Sequence, residues 1–351
     1  LCLLALFPVL MYGGQILWRH SYYGELVPNT ALVKIAFSPN RLVEGLIHIG
    51  EGYFSMLPLA LLAAFLLGLM LRSRDYRRRG IVLLLNLLVM TAYLIFIGGD
   101  FFPAFRHFIS IVVVLVFIVI DGLKIMLPML RMSRWRVALI ALLIGLGYLA
   151  LQIGHYRNRW AYNESWEWTG MELGSKLGRA FEDEQPLMAV IIAGCLPYSS
   201  ELPSLDMLGL NDYWLPRHPP ENFGKGRLGH ELGDADYVIR CAPDMLVFFV
   251  GDTFSFRVGK DLERRQNYVN RLKPVRVQLD TDPSMGLVYF DKYSSKIGIR
   301  PIAGGYSIPG HLLGDSKHGF LHLEGDSVFV SRLKPGDTPL SIEFDNLLVD
   351  S

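Results

Sequence analysis

Residues 98–107 read Gly98-Gly99-Asp100-Phe101-Phe102-Pro103-Ala104-Phe105-Arg106-His107, an acid, an arginine and a histidine in a short gap between two long apolar runs. Such groups are expensive to keep between membrane spans unless they line a wet cavity or do chemistry. The flanking runs, residues 81–97 and 108–120 (extendable toward Leu127), carry no charge, and that reading sets the class of the whole first half.

Three further runs of the same kind occur at residues 1–17, 54–71 and 137–153. Residues 54–71 alone cover about 27 Å as a helix, close to a hydrocarbon core. Five spanning helices are therefore expected, in a membrane domain over residues 1–153. Residue 1 already lies inside an apolar run, so the chain reads as an N-terminally incomplete one.

Arg72, Arg74, Arg77, Arg78 and Arg79 join the second and third runs, and Lys124, Arg131, Arg134 and Arg136 join the fourth and fifth. The positive-inside rule puts both loops in the cytoplasm. Residues 20–53, the 98–107 stretch and everything past residue 153 then share the extracytoplasmic side. Within 20–53, Ser38-Pro39 is a helix start, with Ser as cap and Pro in the first turn. Leu42, Leu46, Ile49 and Tyr53 follow at helical spacing, with Arg41, Glu44, His48 and Glu51 between them. This fits a helix lying in the interface plane, or equally one packed under the soluble domain.

Residues 154–351 have the charge, proline and glycine content of a soluble domain. Aromatics at 156–168 mark the membrane boundary. A helix capped by Asn163 or Ser165 runs to about Phe181, followed by a turn at 194–198. Buried strands are read at 187–193 and 245–250, and shorter ones at 275–279, 287–289, 327–333 and 341–344. The expected fold is an α/β core with a β-rich C-terminal part. A net charge of +1 implies no nucleic-acid partner.

Several motifs are rejected. Gly224-Lys225-Gly226-Arg227-Leu228-Gly229 matches a dinucleotide glycine pattern but follows no strand, and reads as a loop. His230-Glu231 opens like a zinc-protease motif, yet Asp234 stands where the second histidine belongs. His318 and His322 have ligand spacing without an obvious third ligand, so a divalent metal is possible but unsupported. Cys195 and Cys241 read better as buried free thiols than as a pair. Asp206, Asn211 and Asp212 read by themselves as turn residues.

In order along the chain, Tyr22-Tyr23-Gly24-Glu25-Leu26-Val27-Pro28-Asn29-Thr30 with Lys34, the Gly98-Gly99-Asp100-Phe101 turn with Arg106, the 206–212 run and Gly229-His230-Glu231 resemble one family. It is the family of bacterial membrane arabinofuranosyltransferases typified by the mycobacterial terminal β-(1→2)-arabinofuranosyltransferase. The resemblance implies the multi-spanning GT-C fold in a bacterial plasma membrane, with an extracytoplasmic active site and a C-terminal soluble domain there. It implies transfer of a sugar, arabinofuranose, from a polyprenyl-phosphate donor to a cell-envelope glycan or glycoprotein. Arg106, His107 and Lys34 are then the expected donor-phosphate ligands, with Asp100 a catalytic candidate. The general base itself is expected in a loop upstream of Leu1. Tyr23, Asn29, Asp206, Asn211, Asp212, His230 and Glu231 are expected to bind substrate or shape its loops. Another donor sugar, such as mannose or aminoarabinose, and a non-catalytic glycan-binding or assembly subunit stay open as alternatives.

Overall fold

The computed structural model describes residues 2–100, 102–130, 133–248, 254–302, 305–313, 320–321 and 328–331. The chain forms two compact units: residues 1–164 together with 220–231, and residues 165–219 together with 232–351. The strand expected at 341–344, His318 and His322 lie outside the described residues.

The first unit is helical. Its elements are α1 (Cys2–Tyr23), α2 (Asn29–Lys34), α3 (Pro39–Ser55), α4 (Leu57–Arg72), α5 (Arg77–Phe96), a 3-10 turn at Pro103–Phe108, α6 (Ile109–Leu130), α7 (Arg134–Gly154) and α8 (Tyr156–Asn163). Among the described residues three helical stretches are long and apolar enough to cross a membrane: Arg77–Phe96, Pro103–Met129 and Trp135–Gly154. A fourth counts only if α3 and α4, bent by 89° at Met56, form one broken span. The apolar run at 54–71 is broken where Met56 leaves helical geometry and Pro58 enters the first turn of α4. The run at 1–17 does form a helix, but α1 is not among the candidate spans.

Ser38 caps α3 as expected, its hydroxyl accepting from Arg41 N at 3.2 Å. The burial of α3 runs opposite to a soluble amphipathic helix. Its buried face is Arg41, Gly45, His48, Ile49, Gly52 and Ser55, while Leu42, Val43, Leu46, Ile47 and Phe54 are exposed. Two glycines permit this. A Cβ on Gly45 would collide with the backbone of Ile95 on α5, and one on Gly52 with the ring of Phe108. On α7, Leu139, Leu142, Leu143, Leu146 and Leu149 are likewise exposed. Apolar surface on this scale marks a face made for lipid or a partner.

The second unit is α/β. It comprises α9 (Trp166–Ala180), β1 (Met188–Val190), α10 (Cys195–Ser200), β2 (Ser204–Asp206), α11 (Ala235–Cys241), β3 (Met245–Val247), α12 (Phe256–Glu263), α13 (Gln266–Val269), β4 (Leu272–Val277), β5 (Leu287–Asp291), β6 (Arg300–Ile302), β7 (Gly305–Pro309), β8 (Phe320–Leu321) and β9 (Val328–Ser331). The main sheet is mixed, in the order β2-β1-β3-β5-β4-β8, and β6-β7-β9 form a second, antiparallel sheet. In β1, Ala189 pairs with Leu205 of β2 and Leu246 of β3, both in parallel register. Met188, Val190, Met245 and Val247 pack with Leu173 and Leu177 of α9, while Ala189 and Leu246 pack with Val238 of α11 and Val258 of α12. Both faces of these strands are covered, which is why they read as unbroken apolar runs. The turn expected at 194–198 is the start of α10, which nests on α9 because Gly174 and Gly178 leave no side chain in the way.

Candidate functional site

Among the described residues of the first unit, left-handed backbone is concentrated in the 98–107 stretch. Gly98 and Gly99 both have φ of +81°, and Ala104 and Phe105 follow at +63° and +48°. Left-handed non-glycine residues are strained, and such strain is concentrated where function requires a special geometry. The glycines are needed twice over. A Cβ on Gly98 would stand 2.8 Å from Cδ of Arg41, and one on Gly99 2.6 Å from Cβ of His48. The turn therefore lies directly on the buried polar face of α3.

At its tip the Asp100 side chain, 4% exposed, accepts from Arg106 Nε at 2.7 Å and Nη2 at 3.2 Å. Burial pushes its carboxyl up, but the Arg106 hydrogen bond, the nearby His107 and Arg106 charges and the Phe102 N–H together hold it below the usual carboxylate range. Asp100 is thus an ionised anchor for Arg106, a poor base at neutral pH. The pair uses Nε and Nη2 and leaves Nη1 outside it. The guanidinium is 49% exposed and lies 4.1 Å over the Phe102 ring. His107 Nδ1 stands 3.8 Å from Asp100 and has no hydrogen-bond partner.

A second loop docks on the start of α3. Ser38 Oγ donates to Gly224 O at 2.6 Å, Asn40 Nδ2 to Lys225 O at 3.1 Å and Arg41 Nη1 to Gly226 O at 3.1 Å. Arg41, 1% exposed, also pairs with Glu44 at 2.7 Å and with the buried Glu231. Glu231 in turn accepts from Gly226 N, closing the loop on itself. Residues 221–229 form turns with no helix, so the glycine pattern there is a loop, as its sequence context predicts. Gly229 rests on the Lys34 side chain: its Cβ would meet Cε at 3.7 Å. The charge of Lys34 reaches both His107 and His230. Burial pushes the His230 imidazole down, toward the neutral form, and Nδ1 faces Leu228 O at 2.9 Å.

Of the sequence-predicted residues, Lys34, Asp100, Arg106, His107, His230 and Glu231 thus fall in the first unit around α3. Asn29 opens α2, and Tyr23 ends α1, exposed, in an aromatic cluster with Trp18 and Tyr22. Asp206, Asn211 and Asp212 belong to the second unit and organise a loop. Asp206 accepts from the N–H groups of Leu208, Gly209 and Asn211, and burial pushes its carboxyl up against their pull. Asp212 accepts from Leu215 N and Tyr237 Oη, both at 2.7 Å, and Asn211 donates to Ala193 O.

Three residues with no role expected from the sequence complete the first unit's polar interior. Arg41 lies under Gly98. His48, buried with Nε2 unpartnered, packs against Phe105 and Phe108. Arg157 pairs with Glu51 and lies 4.8 Å over Phe105. For Arg41 and His48 the signal was present as the repeat Arg41-Gly45-His48-Gly52, charged and small residues on one face of α3. Among the described residues no three metal-ligating side chains converge. Cys195 and Cys241 are free thiols, partly exposed rather than buried.

No curated protein and no solved structure matches the chain. Residues 156–289, from α8 to β5, are similar to a family described as a domain of unknown function, DUF8728.

Proposed function

We propose that this chain belongs to a membrane glycosyltransferase that moves a sugar from a polyprenyl-phosphate donor to a hydroxyl of a cell-envelope glycan or glycoprotein on the extracytoplasmic face. The observation that carries the reading is the Asp100–Arg106 pair. A buried carboxylate orients a half-exposed guanidinium, with His107 beside it and Lys34 in electrostatic range. A planar guanidinium grips two oxygens of a phosphate. The exposed apolar face of α3 and the 89° bend into α4 support a helix lying along the bilayer surface while α4 enters it.

In the reaction the acceptor oxygen bonds to the anomeric carbon as the bond from that carbon to the phosphate oxygen breaks. The electron pair goes to the phosphate, and the acceptor proton goes to a general base. Arg106 holds the phosphate before and after cleavage. Asp100 holds Arg106 and is not the base in this scheme, being an ionised partner of the guanidinium. Arabinofuranose as the sugar rests on the family resemblance alone.

The test is transfer by the purified full-length protein in detergent, with polyprenyl-phosphoryl arabinose, mannose and aminoarabinose offered in parallel. Transfer from the first, lost in Arg106→Ala, is expected. Transfer only from another donor overturns the arabinose assignment, and glycan binding without any transfer favours the non-catalytic subunit.

A further inference from the structure

In the second unit, residues 264–271 join α12 to β4 through the single turn α13. Tyr268 N donates to Arg265 O at 2.8 Å and Arg271 N to Tyr268 O at 3.0 Å, so the backbone ties Arg265, Tyr268 and Arg271 together. With Arg264 and with Ile239 of α11 they line a cavity of about 620 Å³, the size of a small-molecule site.

Both arginines are held side-on by a carboxylate. Arg265 donates from Nε and Nη2 to Asp236 at 3.0 and 2.9 Å, and Arg271 from Nε and Nη2 to Asp291 at 3.3 and 2.6 Å. Asp236 stands one turn before Ile239 on α11, and Asp291 pairs in register with Leu272 at one end of the β4–β5 ladder. Each guanidinium is thereby fixed in place, about half exposed, with Nη1 outside its ion pair. Tyr268 lies between them in the turn. It is 7% exposed, and its Oη has no hydrogen-bond partner among the described residues. A buried hydroxyl without a partner costs stability, and this one belongs to a residue that lines a cavity. Burial, and after it the Asp291 charge, push the phenol up, so it stays a donor at neutral pH.

The carboxylates of Asp236 and Asp291 are engaged by the arginines. What Arg265, Tyr268 and Arg271 offer a ligand is therefore N–H and O–H donors alone. Such a set complements an acceptor-only group, an oxyanion. The cavity is far larger than a bare ion needs, and Ile239 and the arginine stems supply apolar wall for the rest of a molecule.

We propose that this cavity binds a small organic oxyanion, of the size of a sugar phosphate or a sugar acid, with Arg265 and Arg271 gripping the anionic group and Tyr268 donating to it. The site lies wholly within the second unit and does not depend on the glycosyl-transfer reading.

The experiment titrates the full-length protein in detergent with glucose 1-phosphate, glucuronate, inorganic phosphate and glucose, read by calorimetry and by the shift in melting temperature. At least one of the two organic anions is expected to bind, about tenfold or more tighter than inorganic phosphate or glucose. Tyr268→Phe and Arg265→Gln should each weaken that binding about tenfold or more. Tyr268→Phe keeps the ring and removes only the unpartnered hydroxyl, so its ligand-free melting temperature should equal or exceed that of wild type. Arg265→Gln leaves Asp236, 59% exposed, in water, so that variant folds as well. Wild-type protein that binds neither organic anion, or binds glucose or inorganic phosphate as tightly, overturns the proposal. So does a Tyr268→Phe protein that binds as wild type does. A ligand-free Tyr268→Phe protein that melts well below wild type overturns it too, because the hydroxyl would then already be satisfied.

Discussion

Gly98 sits on Arg41 with no room between them: a Cβ at position 98 would stand 2.8 Å from Cδ of Arg41, and the residue holds φ at +81°. Position and conformation both exclude a side chain. Gly98→Ala is expected to lower stability by about 1–3 kcal/mol through backbone strain alone, more once Arg41 is displaced. Gly50 is the control, a glycine of α3 with nothing within 4 Å. Gly50→Ala should be neutral or stabilise by about 0.5–1 kcal/mol. Apparent melting temperatures in detergent check both. Equal effects at the two positions would remove the argument.

The Asp100–Arg106 pair makes a prediction about pH. The Asp100 carboxyl titrates below its ordinary value in the folded chain. A carboxylate with a depressed pKa contributes stability that is present above the unfolded pKa and lost as pH falls through the folded one. The pair is therefore intact from about pH 5 upward, and Asp100 adds no acidic limb to the rate profile between pH 5 and 8. Asp100→Asn should misplace Arg106 and reduce transfer by about 10²-fold without shifting the profile. Loss of an acidic limb in Asp100→Asn would instead make Asp100 the base.

Local chemistry was readable in the sequence; sidedness and long-range pairing were not. Ser38-Pro39 marks the start of α3, and residues 187–193 and 245–250 mark the buried strands β1 and β3. The apolar period of α3 is also plain, yet period alone does not say which face meets protein. Leu42 and Leu46 are exposed and Arg41 and His48 buried, the reverse of the rule for a helix in water. The break at Met56 was hidden because Pro58 is compatible with the first turn of a new helix. Arg41 and Glu231 stand 190 positions apart, so no local pattern joins them. Strand β2 was missed because it is three residues long and ends in Asp206, a residue with strong turn chemistry of its own.

In the second unit Glu172 fixes α9 to the loop after β4. It accepts from the N–H groups of Asp280 and Thr281 at 2.8 and 3.0 Å and from the Thr281 hydroxyl at 2.7 Å, and pairs with Lys176 at 2.9 Å. Burial pushes its carboxyl up, but these hydrogen bonds outweigh burial and hold it at about 2, against an ordinary 4.5. Its contribution is complete above pH 4.5 and is lost as pH falls toward 2. Glu172→Gln should destabilise the chain at pH 7 and flatten the acid dependence within that window, read from the fluorescence of Trp166 and Trp168. An acid dependence identical to wild type would show that Glu172 carries none of it.

The buried pair Arg41–Glu231 separates two kinds of cost. Arg41→Met leaves Glu231 buried with only Gly226 N beside it, and Glu44 loses its partner too. Stranding a buried charge costs about 3–5 kcal/mol, whereas replacing both partners with apolar groups of similar size is often neutral. Arg41→Met is therefore expected to lower the apparent melting temperature sharply. The double variant Arg41→Met/Glu231→Met should recover most of that loss. Recovery of stability without recovery of transfer is the expected combination, because the double variant restores burial but not the hydrogen bonds that Arg41 and Glu231 make to Gly226 O and Gly226 N. Melting curves give the first quantity and donor turnover the second. A double variant as unstable as the sum of its singles would show that the two residues are not energetically coupled.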